Sequence, residues 1–266
     1  MPIFISQDVD EVINEPLIGW QDFFHVAPGF VQDVDNPPAN PRRNALNGLT
    51  YNFWQVGPAL QTLSFHRPAG RAIDYAGIAA HTLGSTGRGV RVVWSDNGVD
   101  WENAHTGGWY MASTDAPLMF YFPRQNHTYW GIQVQGGDTA YIGVVYMGLA
   151  LRMKRRIYGG HSPASLSRQT DILPQRSVNG AFLGRSVIRR GITTTYAFNN
   201  LPADWYRENF DPFVQSALER PFFVAWRPDD HPEDCVYAWT TGDIAPTNTG
   251  TRDFMSVSFS VEGIAE

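Results

Sequence analysis

Short runs of β-branched and aromatic residues, each stopped by glycine, proline or an Asn-Gly turn, recur along most of the chain. The strongest is Gly89-Val90-Arg91-Val92-Val93-Trp94-Ser95, which ends in Asp96-Asn97-Gly98. Asp and Asn stabilise such a turn, and Gly takes the positive φ that it demands. Residues 60–65, 72–79, 119–122, 129–134 and 141–146 continue the series, with Gly136-Gly137-Asp138 between the last two. This spacing predicts an antiparallel sandwich or jelly roll rather than an α/β sheet. Charged residues make up only 17%, beside 25 Gly and 18 Pro, a poor supply for long helices.

The second half reads in the same way. Residues 184–190 alternate like a half-buried strand, and residues 193–198 follow as another. One helical region is expected near 202–219. Pro202 suits a first turn, Asp211-Pro212 restarts the helix as cap and first residue, and Phe213, Val214, Ala217 and Leu218 give an apolar face. Residues 221–228 read as a buried strand closed by prolines, and residues 254–261 alternate with Met255, Val257, Phe259 and Val261 on one side. The predicted fold is all-β, with two β-sandwich or jelly-roll modules and that single helical segment.

Three divisions are expected: an N-terminal arm over 1–50, a first sandwich over 51–156 and a second over 157–266. The arm can lend a strand to the C-terminal module, which would make the first sandwich an insertion. The second boundary rests on the change of character at Arg152-Met153-Lys154-Arg155-Arg156. Residues 33–48 are rich in Pro and Asn and read as a surface loop or extended arm. Residues 1–50 and 160–180 are expected to be disordered in an isolated subunit and to cross to neighbours in an assembly.

A net charge of −6 argues against nucleic acid as a partner. Lys154 is the sole lysine, so the remaining basic residues are arginines, through interface chemistry or codon bias. Cys235 stands alone, which rules out an internal disulfide and a cysteine zinc site. No apolar stretch reaches membrane-spanning length, and the N-terminus lacks a signal-peptide pattern, so folding in a cytoplasm and no membrane insertion are expected.

No nucleophile elbow, phosphate loop or dinucleotide fingerprint occurs, and the seven histidines are scattered. Gly84-Ser85-Thr86-Gly87-Arg88-Gly89 lies between strands and reads as a turn. No catalytic residue, cofactor or metal is assigned, and the chain is read as non-enzymatic. A carboxylate pair for sugar hydrolysis stays open, since any two of 26 acidic residues can meet in the fold. Asp96, Asn97 and Asp100 serve either a hairpin turn or a calcium ion. Trp101, Trp109 and Tyr110 are the candidates for stacking on a sugar. Arg152, Lys154, Arg155 and Arg156, with Arg189 and Arg190, are either solvated or an assembly interface.

Two resemblances attach to these residues. Residues 44–151 resemble a discoidin-type, galactose-binding-like domain. The matching pieces are Asn44-Ala45-Leu46-Asn47-Gly48, Trp54, residues 73–84, residues 90–101 with the turn and Trp101, and the strands at 129–134 and 142–148. The bracketing cysteines of extracellular members are missing. From Gly159 onward the chain is similar to siphophage tail-tip proteins, nearest the distal tail protein. Residues 221–228, Pro232, residues 236–239 and Met255-Ser256-Val257 carry it. The resemblance implies a virion tail component that forms a trimeric or hexameric ring, has other tail proteins as partners, and links tail tube to host recognition. The first resemblance implies instead a carbohydrate-binding module, with host-surface glycan as partner.

Overall fold

The computed structural model describes residues 3–9, 11, 13–26, 30–31, 40–105, 107–157, 159–163, 165–250 and 252–264. The strands of the first half are β1 (Ile3–Ile5), β2 (Leu17–Gly19), β3 (Phe30–Val31), β4 (Trp54–Val56), β5 (Gln61–His81), β6 (Gly89–Ser95), β7 (Glu102–Asn103) and β8 (Tyr110–Met111). Next come β9 (Leu118–Val134), β10 (Ala140–Gly148) and β11 (Leu151–Arg152). The C-terminal strands are β12 (Gln169–Arg176), β13 (Phe182–Pro202), β14 (Phe222–Ala225), β15 (Cys235–Thr240), β16 (Pro246–Asn248) and β17 (Phe254–Ile264). The protein is all-β with one helical segment of any length, as the sequence predicts.

The first sheet runs β4-β10-β5-β9-β6-β7, with β1, β3 and β8 added at its margins. Its two long strands do not stay flat. Both bend together where their register slips, between His66 and Arg71 and between Ile73 and Tyr75. Before the bend, residues 61–66 pair with 129–134, and β6 joins the latter. After it, residues 75–78 pair with 118–121, and β10 joins β5. The halves close on one core. Leu63, Phe65, Val92, Trp130 and Ile132 face Ile78, Phe120, Ile142, Val145 and Met147 across it.

The second sheet runs β11-β2-β14-β15-β17-β13-β12, with β16 on β17. β2, from the N-terminal segment, lies between β11 and β14. The chain therefore enters this sheet at Leu17, leaves to build the sandwich, and returns at Leu151. Of the expected arm, residues 33–39 lie outside the described residues. Arg42–Leu46, expected as loop, forms a 3-10 turn that buries Ala45 in the sandwich core.

β14 and residues 235–238 of β15 are apolar and buried at every position because both faces are covered. Phe222, Val224, Val236 and Ala238 face the helical segment. Phe223, Ala225, Cys235 and Tyr237 face Tyr75, Ala79, Met119, Val144 and Tyr146 of the sandwich. The approach is close enough that a Cβ on Gly77 would sit 2.5 Å from the Phe223 ring. Tyr237 donates its hydroxyl to the Gly48 carbonyl at 2.7 Å, and Tyr75 donates to the Gln21 carbonyl. Burial pushes the Cys235 thiol far above its ordinary range, which leaves it unreactive.

Besides the short α1 (Phe23–Val26), the helical segment comprises α2 (Ala203–Trp205), a π turn over Tyr206–Phe210 and α3 (Asp211–Ala217). Asp211 has helical dihedrals, and no side chain caps α3, so the expected restart is a π turn within one continuous segment. Phe210, Phe213, Val214 and Ala217 bury the face that meets the sheet.

Two polar groups pin the sandwich loops. Arg88, in the glycine-rich turn, is buried and donates to the carbonyls of Val56, Gly57, Ala59, Gln135 and Asp138 at 2.6–3.3 Å. His81 bonds the Ala116 carbonyl through Nε2 and accepts from the Leu83 amide at Nδ1, and burial holds its pKa down at about 4. At the exit towards β11, Asp74 accepts from the Ala150 amide at 2.7 Å, and burial raises its pKa to about 7.

Two predictions follow from this arrangement. The folded protein holds the Asp74 proton more tightly than the unfolded chain, so the stability linked to it is complete below about pH 4 and is lost as pH rises to 7. Asp74→Asn keeps an acceptor for Ala150, so it should stabilise the protein by an amount that grows from pH 4 to 7 and then levels off, on the order of 2–4 kcal/mol. Urea melts across that range check it, and a pH-independent difference refutes it. We also propose that the divisions near residues 50 and 157 are exposed seams, at Leu49 and Tyr51 and at 154–156. A lysyl endopeptidase should cut only after Lys154, and the pieces should co-elute until denatured, because β2 is held by β14. Separation in native buffer would refute the shared sheet.

Candidate interaction surfaces

The most exposed feature is the ribbon formed by β12 and the first half of β13. Residues 169–176 pair with 182–191, and β13 joins β17 only from Ile192 onward. The tip closes through bonds from the Ser177 amide to the Ala181 carbonyl and from the Gly180 amide to the Ser177 carbonyl. Residues 184–190, expected as a half-buried strand, form a strand that is exposed on both faces, because among the described residues no second layer covers either side of the two-stranded ribbon. Ile172, Leu173, Phe182, Leu183 and Ile188 are all in water, with Phe182 and Ile188 each 69% exposed. Within 169–191, Arg176, Arg185, Arg189 and Arg190 stand against Asp171 alone. Arg189 pairs with Asp171 at 3.0 Å, and Arg190 is exposed.

The basic run after the sandwich is less open than its sequence implies. Arg152 forms ion pairs with Glu11 at 2.5 Å and Glu15 at 3.1 Å, and Arg156 lies 3.9 Å from Glu15. Lys154 and Arg155 are exposed. The N-terminal segment thus neutralises part of this patch.

The three candidate sugar-stacking residues do not form one platform. Trp101 is half-buried beyond the 95–100 turn. Trp109 lies beneath the Arg91 guanidinium, 4.3 Å from its ring centre, and Arg91 also donates to Gln133. Tyr110 packs edge-on against Phe4 and Phe120, and burial raises its phenol to about 12.

A different aromatic group gathers where the long strands bend. Trp94 stacks on His127 with ring centres 3.5 Å apart, and His66 stacks on Tyr129 at 4.3 Å. His127 Nδ1 lies 3.2 Å from Asp96 Oδ1. Strand register brings them together, since Trp94 lies opposite Trp130 and Tyr129 lies between Ser95 and His66. The histidines have no local sequence signal, so only the pairing finds them.

The oxygen-rich turn is self-satisfied. Asn97 Oδ1 accepts from the amides of Val99 and Asp100 and from Ser95 Oγ, while its Nδ2 donates to Asp100. Among the described residues, His231, Glu233 and Asp234 bring one ligand atom each within 4.8 Å of one another. Both oxygens of Asp234 already accept bonds, from the Ser165 amide and Trp226 Nε1.

No protein-family model matches the chain, and no curated protein matches it. Solved structures give partial likenesses. A pectin-binding carbohydrate binding module superposes with a TM-score of 0.39 at 11% identity, covering 45% of this chain and 89% of the other. A CBM32 module from Clostridium perfringens, solved with GalNAc-β-1,3-galactose, gives 0.38 at 12% identity, covering 45% and 94%. A putative α-L-fucosidase from Bacteroides thetaiotaomicron gives 0.40 at 13% identity, covering 53% of this chain and 30% of the enzyme.

Proposed function

We propose that this chain is a non-catalytic assembly subunit that joins copies of itself into a ring through the 169–191 ribbon. The observation that carries this reading is that ribbon, with apolar side chains in water on both faces. A lone two-stranded ribbon is marginal in water, and exposed apolar patches of this kind mark contact surfaces. Its excess of arginine fits an acidic partner. A second copy of this chain, with its net charge of −6, supplies one. The tail tip of a long-tailed phage is the assembly that the C-terminal resemblance implies, with other tail proteins as neighbours and the virion tail as location.

A second reading, carbohydrate binding by the sandwich, has its own support in the ring faces of Trp94, His127, His66 and Tyr129 beside Asp96. Sugars stack on aromatic faces and bond to carboxylates, so that end is the place to look for host-surface glycan.

Light scattering on the purified chain should give a trimer or hexamer. Phe182→Asp with Ile188→Asp should lower the mass to a monomer while leaving the thermal melt within a few degrees, since neither side chain touches a core. A wild-type monomer at every soluble concentration, or a mutant oligomer of unchanged mass, would sink the ring. Under the second reading, Trp94→Ala should cut binding to an arrayed glycan at least tenfold and leave the oligomer intact. Unchanged binding would refute it.

A further inference from the structure

We propose that the two clefts flanking Arg152, at the seam between sandwich and second sheet, form one groove that binds a neutral oligosaccharide. This goes beyond the carbohydrate reading above: it assigns a separate sugar site, with its own ligand class, away from the Trp94–His127 end.

One cleft, of about 320 Å³, is lined by Glu15, Arg152, Met153, Lys154 and Trp205. The other, of about 300 Å³, is lined by Asp74, Tyr121 and Arg124 with Asp8 and Glu11 of the N-terminal segment, and again by Arg152. Each reaches the lower end of the range for small-ligand sites, about 300–1,000 Å³. The Arg152 side chain stands between them, held by Glu11 on one side and Glu15 on the other, and keeps 38% of its surface exposed. The walls come from separate parts of the chain, which this fold alone brings together.

The charges decide the ligand class. Acceptors (Asp8, Glu11, Glu15) and donors (Arg124, Arg152, Lys154) are interspersed along the groove, so an anion or a cation meets a like charge wherever it sits. A hydroxyl donates to carboxylates and accepts from guanidinium and ammonium groups, so a chain of hydroxyls satisfies both. Trp205, half-buried at one end, and Tyr121, half-buried at the other, add ring surface for the apolar face of a sugar. Asp74 also lines the groove, with one oxygen engaged by the Ala150 amide. Its carboxyl titrates near neutrality, so it can both donate and accept there.

The test uses the full chain on an array of neutral and uronate-containing oligosaccharides, followed by calorimetry with the strongest hit. A neutral hit is expected, with affinity at least tenfold weaker in Trp205→Ala and in Tyr121→Ala, and unchanged in His127→Ala. Matching thermal melts exclude unfolding as the cause. The groove is refuted by an empty array, by hits confined to uronates, or by affinity that ignores Trp205 and Tyr121. Loss in His127→Ala alone refutes the groove but supports the carbohydrate reading at the other end. An empty array sinks both and leaves the ring assembly untouched.

Discussion

The contact between the Phe223 ring and the backbone at Gly77 sets the distance between the two sheets. Both strands involved are central in their sheets, and each is covered on both faces. Every fully buried side chain of this kind contributes about 1.5–3 kcal/mol, and the layer that holds Phe223, Tyr237, Tyr75 and Tyr146 is shared by both halves of the molecule. Tyr237 and Tyr75 place hydroxyls inside it, tied to the carbonyls of Gly48 and Gln21, the first joining β15 to the loop before the sandwich and the second joining the sandwich to the segment after β2. Apolar packing sets the spacing, and the hydroxyl bonds fix which loops lie over it.

That shared layer explains why the two halves are hard to assign to separate domains by connectivity. β2 precedes the sandwich in sequence and lies in the other sheet, while β1 pairs in parallel with β9 of the sandwich. The first strand crosses to one sheet and the second to the other, so the N-terminal segment stitches the seam. Asp229 strengthens it by binding the Ile13 amide through its carboxylate and the Ile13 carbonyl through its own amide. The groove around Arg152 lies along this line, and its acids come from the stitching segment.

Much of the fold was legible because the local signals agree with it. Residues 89–95 with the Asp96-Asn97-Gly98 turn, residues 221–228 and the helical segment all combine propensity, pattern and punctuation in the same sense. Pro68 and Gly70 do mark a break between residues 60–65 and 72–79, which reads as the end of one strand and the start of another. That both runs belong to one continuous β5 slipping register against β9 was not legible, because only the pairing partner shows it. The partners of Arg152 lie more than a hundred residues away in sequence, so the basic run looked unpaired. Arg88 hid in a glycine-rich turn, where its five carbonyl partners come from two other segments, 56–59 and 135–138. On the ribbon, Val187 and Arg189 lie two apart and Ile188 stands beside them, so residues 184–190 lack a clean period of two, and their reading as half-buried rests on apolar content that the ribbon leaves in water. At the strand bend, Trp94 read only as a strand residue, because its partners His127 and Tyr129 arrive through register.

The buried sulfur of Cys235 has a practical consequence. With its side chain sealed between the sheets and its proton held tightly, it offers nothing to a thiol-reactive reagent in the folded protein. A single cysteine introduced on the ribbon or beside the groove would therefore be the sole labelling site on an otherwise wild-type background. Spectroscopic rulers can be attached one at a time, without first removing a residue on which the inner layer depends.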